Sequence, residues 1–453
     1  MTDDRRAVAF HRRLQVRHLF ALVPMFLLAV QASRPIVDNS FLWHVRAGAA
    51  QLDAGRVLTT DPFSYSMAGT PWRTQSWLAE LFYASLERIT GGIGWTPWFV
   101  FGASALALGL VGIAIYRSTS DTVAVGLWSL IMAWLAVPLV QPRPVVVSFG
   151  LLAALVLVSE DDERLAWIVP GLVWVYAAVH GSWILGIGLL VLQSVRRRSW
   201  RLLAATGIGL VFATLTAHGL GVWEFLIVFA RNRGALGMLG EWQPPEFGDI
   251  LQAPYVLLIA GVLWAAVGGK LRSRDLILIL PFLFFGLTTK RAVYPAAIVL
   301  APFAARAWTP GERLRSSTGG IVVWAAGATV AALVIAPLLV VPASLDPGRF
   351  PAAAVVDLAG PQPFFHDDSV GGYLIYSRWP EEQVFVDDRA ELYGETFFRR
   401  YLRATAGEYE DLFAEYGFDA VIAKANWSLV DVLESDGWKA YYRDDAFVVL
   451  RRE

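Results

Sequence analysis

The sequence predicts an all-α polytopic membrane domain of about eleven transmembrane helices, followed by a small C-terminal extracytoplasmic α/β domain. Three observations predict it. Hydrophobic residues make up 56% of the chain and charged residues 17%, with mean hydropathy +0.49, far from the balance of a soluble protein. Apolar runs of spanning length recur from residue 18 to residue 341. After Pro342 the runs stop, and a charged segment of about a hundred residues begins, the size of a normal small domain. The formal net charge of −1 implies no nucleic-acid partner. The chain has no cysteine, which excludes disulfides, thiol catalysis and cysteine-based metal sites.

The predicted spans lie near 18–37, 95–116, 121–140, 144–159, 165–180, 181–195, 202–218, 252–268, 275–289, 292–307 and 320–341. The first has a basic start but no small-residue cleavage site, so it reads as a retained helix and not a signal peptide. An odd count puts the termini on opposite sides, and the charges choose which. Arg5, Arg6, Arg12, Arg13 and Arg17 precede the first span. Arg117, Arg164, Arg196–Arg198, Arg201, Lys270, Arg272, Arg274, Arg306, Arg313 and Arg315 fall in turns on that same side. The positive-inside rule then makes the N-terminus cytoplasmic, and the 38–94 loop and residues 343–453 extracytoplasmic, in a multi-pass protein of the cytoplasmic membrane. Losing one span would flip the later segments and break this charge pattern.

The first outer loop, 38–94, holds Asp38, Asp61 and Glu80, with His44 and several tryptophans between them. Residues 41–55 carry an apolar stripe (Phe41, Leu42, Val45, Ala49, Leu52), expected as a short helix in the membrane interface with Gly55 as its cap. Asp61-Pro62 and Ala68-Gly69-Thr70-Pro71 read as turns, and 75–90 as a second interfacial helix presenting Trp77. Taken singly, the tryptophans fit an aromatic belt at the headgroups. In Gln141-Pro142-Arg143-Pro144 two prolines fix a corner around Arg143, which either snorkels to headgroups or binds a phosphate. His180 sits at the junction of the fifth and sixth spans, and His218 ends the seventh. The loop after His218 carries EWQPPEFGD, with Glu241. Lys290 and Arg291, adjacent cations in a short outer turn, break the charge bias and are expected to bind an anion within about 10 Å of Asp38. In the C-terminal segment, strands are expected at 372–376, 383–387, 419–423, 438–442 and 446–450. Helices are expected at 395–404, 408–416 and 427–435, with Gly417 as a cap.

Ionisable residues therefore gather at the outer ends of helices, and no comparable set sits at mid-membrane, where a transporter would place it. No HxxxH or HxxE spacing supports a metal site, although His44, His180 and His218 could in principle furnish one. A surface cavity of carboxylates and cations suits chemistry on a lipid-linked substrate. A phosphate leaving group needs cations, for which Arg143, His180, Lys290 and Arg291 are the candidates. An acceptor hydroxyl needs a base, and Asp38, Asp61 and Glu80 are the candidates. Acceptor contacts fall to His44, Trp77, Glu241, Asp388 and Arg389.

An acidic residue just past the first span, a long first outer loop and an outer C-terminal domain resemble the GT-C superfamily of polytopic glycosyltransferases. That superfamily includes protein mannosyltransferases, aminoarabinose transferases and oligosaccharyltransferase catalytic subunits. Asp38 matches the position of the family's first-loop acid. The segments DNSFLWHVRAG, TTDPFSYSMAGTPWRTQSWLAELFY, QPRPVVVSF, VHGSWILG, EWQPPEF and VDDRAELYG are similar to a group of uncharacterised, glycosyltransferase-like bacterial membrane proteins. That group commonly has a second acid where this chain has Ser40, and the acidic pair of protein mannosyltransferases is replaced by Asp38-Asn39, so Asp38 and Asp61 both stay open as the base. HDDSVGGYLIY resembles the acidic-aromatic-glycine motif that helps oligosaccharyltransferases bind acceptor. The resemblance implies inverting transfer of a sugar from a polyprenyl-phosphate donor to a glycan, lipid or protein acceptor. The competing readings are a binding or assembly protein on the same scaffold, which Ser40 favours, and a transporter of lipid-linked substrate.

Overall fold

The structure is a computed structural model that describes residues 19–161, 165–231, 234, 237, 240–308, 321–356 and 363–452. The tail arginines, Arg164, Arg313 and Arg315 lie outside the described residues. The chain divides into two compact units, one of Met1–Arg34, Gly94–Thr216 and Gly240–Ala343, the other of Pro35–Ile93, Ala217–Leu239 and Ser344–Glu453.

The first unit is helical. Each predicted apolar stretch holds a helix, beginning with Val23–Ala32, Thr96–Thr119 and Thr122–Ala136, and ending with Ile321–Val340. By length and composition, Thr96–Thr119 and Thr122–Leu139 are the two among the described residues that can cross a bilayer unaided. Others are broken short. Leu276–Gly286 has 11 residues, about 16 Å at the helical rise against a hydrocarbon core of about 30 Å. Val293–Ala304 is buried along its whole length, as expected of a helix that is apolar on every side. Close packing needs small residues at the crossings: a Cβ on Gly261 would stand 2.3 Å from the Trp128 ring.

The second unit joins the first outer loop to the C-terminal segment. Its sheet has the order β1-β2-β4-β3, from β1 (Phe364–His366), β2 (Ala420–Lys424), β3 (Lys439–Arg443) and β4 (Phe447–Arg451). β1 and β2 are parallel, and β4 is antiparallel to both neighbours. β2 and β4 do not alternate: they are buried almost throughout and read as continuous apolar runs. Three expected strands match β2, β3 and β4. The other two do not form. Residues 372–376 lie in the helix Asp368–Arg378, whose N-terminus is capped by Asp367 accepting from the Ser369 N–H at 2.6 Å. Residues 383–387 make only a single bridge, Ser64 to Val384. The helices Ala390–Thr405, Glu410–Tyr416 and Ser428–Ser435 follow the expected pattern, with Gly417 at φ 67° closing the second.

The helix at 41–55 exists as Asn39–Ala54 with Gly55 in the left-handed region, but it does not lie on a surface. Phe41, Leu42 and Val45 on one side and Trp43 and Ala47 on the other are all buried. Trp43, Ala47, Phe63 and Trp72 share one hydrophobic core with Phe364, Leu374, Ile422 and Val449. The helix Trp77–Thr90 packs against it so closely that a Cβ on Gly48 would stand 1.9 Å from the Glu80 carbonyl oxygen.

Candidate functional site

In the second unit, the candidate base Asp38 ends the extended approach to the helix and caps it. Its Oδ1 accepts from the Phe41 N–H at 3.0 Å, and the residue is 8% exposed. Asn39 bridges to the C-terminal segment, donating to the Asp368 carbonyl and accepting from the Tyr373 N–H, both at 3.2 Å. Ser40 donates to Asp388 Oδ2, and Trp43 Nε1 donates to Asp388 Oδ1 at 2.8 Å. The carboxylate held at position 40 thus comes from residue 388.

Asp61 and Arg389 form a buried pair at 2.8 Å. Asp61 Oδ1 also accepts from the Phe63 N–H, and Oδ2 accepts from the Ser64 N–H and hydroxyl. Arg389 donates through Nε and Nη2 to Asp387, at 2.8 and 2.5 Å, and its guanidinium lies 4.4 Å from the centre of the Trp72 ring. With burial this complete, and with Asp387 and Asp61 beside it, Arg389 stays charged at any accessible pH. Asp61 and Arg389 are spent on each other and offer no free edge to a substrate.

Glu80 is fully buried and serves three neighbours. Oε1 takes His44 Nδ1 at 2.8 Å and the Thr74 hydroxyl, while Oε2 accepts from Gln51 Nε2 at 2.7 Å. The His44 ring is 10% exposed and stacks on Trp43, with centroids 3.6 Å apart. The Thr74 carbonyl accepts from His218 Nε2 at 2.5 Å. Trp77 starts the Trp77–Thr90 helix, half-buried. The network from Asp388 through Trp43, His44 and Glu80 to His218 joins residues the sequence could single out only one by one.

The first unit has its own charged cluster. Three separated motifs meet there: Arg143 of QPRP, Glu241 and Glu246 of EWQPPEF, and Lys290 and Arg291 of TTKR. Arg291 Nη1 meets Glu241 Oε1 at 2.8 Å, Arg143 Nη1 meets its Oε2 at 3.5 Å, and Lys290 meets Glu246 at 2.6 Å. Burial alone would raise the Glu241 proton affinity, but Arg291 and Arg143 outweigh it and keep the carboxyl ionised. Arg291 also lies over Trp242, 5.1 Å from the ring centre. Glu241 thus stands as the orienting partner of two guanidiniums. His180 Nδ1 accepts from the Ser182 N–H at 3.1 Å, which puts the proton of its neutral form on Nε2. Among the described residues no group of three or more His, Asp and Glu is placed to hold a metal ion.

Neither a protein-family model nor a curated protein sequence matches the chain. Its fold does match solved structures. The archaeal oligosaccharyltransferase AglB from Archaeoglobus fulgidus, in complex with an inhibitory peptide and a dolichol-phosphate, superposes with a TM-score of 0.54 at 12% identity. The match covers 96% of this chain and 74% of that one. The apo form of the A. fulgidus oligosaccharyltransferase gives 0.55 over the same shares, again at 12% identity. The chain shares its fold with these archaeal oligosaccharyltransferase structures.

Proposed function

We propose that this protein is a membrane glycosyltransferase that moves a sugar from a polyprenyl-phosphate-linked donor to an extracytoplasmic acceptor, with inversion. The observation that carries the reading is the fold shared with AglB over 96% of the chain, one structure of which holds a dolichol-phosphate and a peptide. In this reading all eleven helical stretches traverse the bilayer, the shorter ones completed by their non-helical ends, and the N-terminus is cytoplasmic. Arg143 and Arg291, aligned by Glu241, and Lys290 hold the donor phosphate, with His180 assisting. Asp38 takes the acceptor hydroxyl proton while the new C1–O bond forms. The phosphate leaves with the electron pair of the broken bond, and no strong general acid is needed. His44, Trp77 and Asp388 contribute to acceptor contacts.

A second arrangement for hydroxyl activation is favoured by one observation: His44 is backed by buried Glu80 in the manner of an oriented general base. The reading is tested with the full chain in proteoliposomes supplied with a labelled polyprenyl-phosphate sugar, and by mass spectrometry of envelope glycans with and without the protein. Donor turnover together with loss of one glycan class is expected. An unchanged glycan profile with no donor turnover leaves a binding or assembly role on the same scaffold.

A further inference from the structure

The first unit contains a cavity of about 620 Å³ lined by seven arginine and lysine side chains against two carboxylates. It is not the Arg143–Glu241–Arg291 cluster. The helix Pro144–Glu160 begins beside Arg143 and ends at Glu160 in the cavity wall, 17 residues or about 25 Å away. Likewise Val293–Ala304 separates Arg291 from Arg306 of the cavity. The two cationic sites sit at opposite ends of shared helices.

An excess of cations at this end follows from the positive-inside rule alone. Convergence on one cavity does not. Asp275 is 2% exposed and holds two guanidiniums, Arg196 at 2.6 Å and Arg306 at 2.9 Å. Arg196, itself 8% exposed, is fixed further by Gln193 at 2.7 Å and by Glu160. The walls are therefore set before any ligand arrives. Two more arginines of the lining, Arg272 and Arg274, are exposed, and their guanidiniums meet no carboxylate among the described residues, although the Arg272 backbone N–H donates to Asp275 Oδ2 at 3.0 Å. Among the described residues the Lys270 ammonium reaches the Ala307 carbonyl, at 3.3 Å. An excess of cations over carboxylates around one space, among the described residues, is matched by a ligand with closely spaced negative charges, not by a single carboxylate. Leu189, Leu278 and Phe303 give the same cavity an apolar side between helices.

We propose that this cavity binds a headgroup carrying two phosphoryl groups close together, presented either by an anionic phospholipid or by a free diphosphate. Basic pockets between helices recognise lipid headgroups through this chemistry. The test uses the full-length protein and two probes. Inorganic pyrophosphate is titrated calorimetrically into protein in neutral detergent. In parallel, nanodiscs of phosphatidylcholine with and without cardiolipin are analysed by native mass spectrometry for lipid retained on the protein. Arg272→Ala with Arg274→Ala removes two cations that anchor no carboxylate, so the fold is kept. Arg403→Ala, at an exposed arginine of the second unit, serves as the control. The expected result is salt-sensitive binding of at least one probe that the Arg272/Arg274 double variant weakens about 10-fold or more and the Arg403 variant leaves unchanged. Pyrophosphate binding alone assigns a soluble ligand, and cardiolipin retention alone assigns a lipid. No binding of either probe, or binding undiminished in the double variant, overturns the proposal.

Discussion

Ser40 and Asp388 are 348 positions apart in the chain and share a hydrogen bond in the second unit. The pair sets a carboxylate from the C-terminal segment beside an uncharged residue of the first outer loop. A charge swap tests this. Ser40→Asp alone sets two carboxylates against each other. Asp388→Ser alone strips the charged acceptor from Ser40 and Trp43, at about 1–3 kcal/mol. The double swap restores one carboxylate and two donors, so a double-mutant cycle read by thermal unfolding should show a coupling of about 1 kcal/mol or more. Additive losses would mean that the two side chains act independently.

Asp61→Asn should damage the fold rather than any reaction. The asparagine amide would set N–H donors against the Ser64 donors and leave Arg389 with only Asp387. Breaking one side of a buried ion pair costs about 3 kcal/mol, seen as a lower Tm. Arg389→Lys should not rescue it, because lysine lacks the fork that spans Asp61 and Asp387 and the flat face over Trp72. Activity per folded molecule should stay near normal in Asp61→Asn.

Stability of the second unit should stay nearly level between about pH 4 and 6.5, where two buried groups oppose each other, and fall from about pH 6.5 to 8. His366 is buried, donates through Nδ1 to the Asp367 carbonyl and accepts the Phe385 N–H on Nε2, and burial lowers its pKa to about 4. The unfolded chain takes up that proton near pH 6.5, so stability is present above pH 6.5 and is lost as pH falls toward 4, by up to about 3 kcal/mol. Asp368 behaves oppositely. Burial first, then the charge of Asp367, pushes its carboxyl up to about 8. Its contribution is complete below the unfolded value near 3.8 and is lost as pH rises through 8. His366→Gln should leave Asp368 unopposed, so that Tm declines from about pH 4 up to 8, and Asp368→Asn should leave His366 unopposed, so that Tm falls only below about pH 6.5.

What could be read from the sequence follows physical range. Helices and most strands depend on neighbours within about ten residues, and β2, β3 and β4 were legible as β-branched and aromatic runs. Residues 372–376 misled because Tyr-Leu-Ile-Tyr favours strand locally, while the helix is set by the Asp367 cap and by tertiary approach. A Cβ on Gly372 would stand 2.3 Å from the Asn39 carbonyl oxygen. Among site residues, the cation excess at Lys290 and Arg291 was visible as a broken charge rule. Their carboxylate partners lie 44 and 50 positions away, a pairing no local pattern encodes. Arg389 looked like an acceptor-binding arginine because sequence carries no record of its burial.

The C-terminus should be extracytoplasmic. A phosphatase fused after Glu453 should be active, and a green fluorescent protein at the same point dark. The reverse would break the odd span count on which the placement of Asp38 and Lys290 on one side of the membrane depends.

Asp38→Asn isolates the charge of the proposed base. Asparagine caps helices as well as aspartate, so its side-chain oxygen can still accept the Phe41 N–H and the fold should hold. What it cannot do is take a proton from a hydroxyl. Transfer should fall at least about 10²-fold, with donor binding and Tm nearly unchanged. His44→Gln and Glu80→Gln are the discriminating partners. If His44 only contacts acceptor, its loss raises KM and spares kcat, and Glu80→Gln lowers stability because Gln51 and Thr74 also rest on that carboxylate. If instead the imidazole is the base, both variants collapse kcat, while Asp38→Asn stays active. Should all three variants keep normal envelope glycans, none of these groups touches a reacting bond, and the binding or assembly reading replaces catalysis.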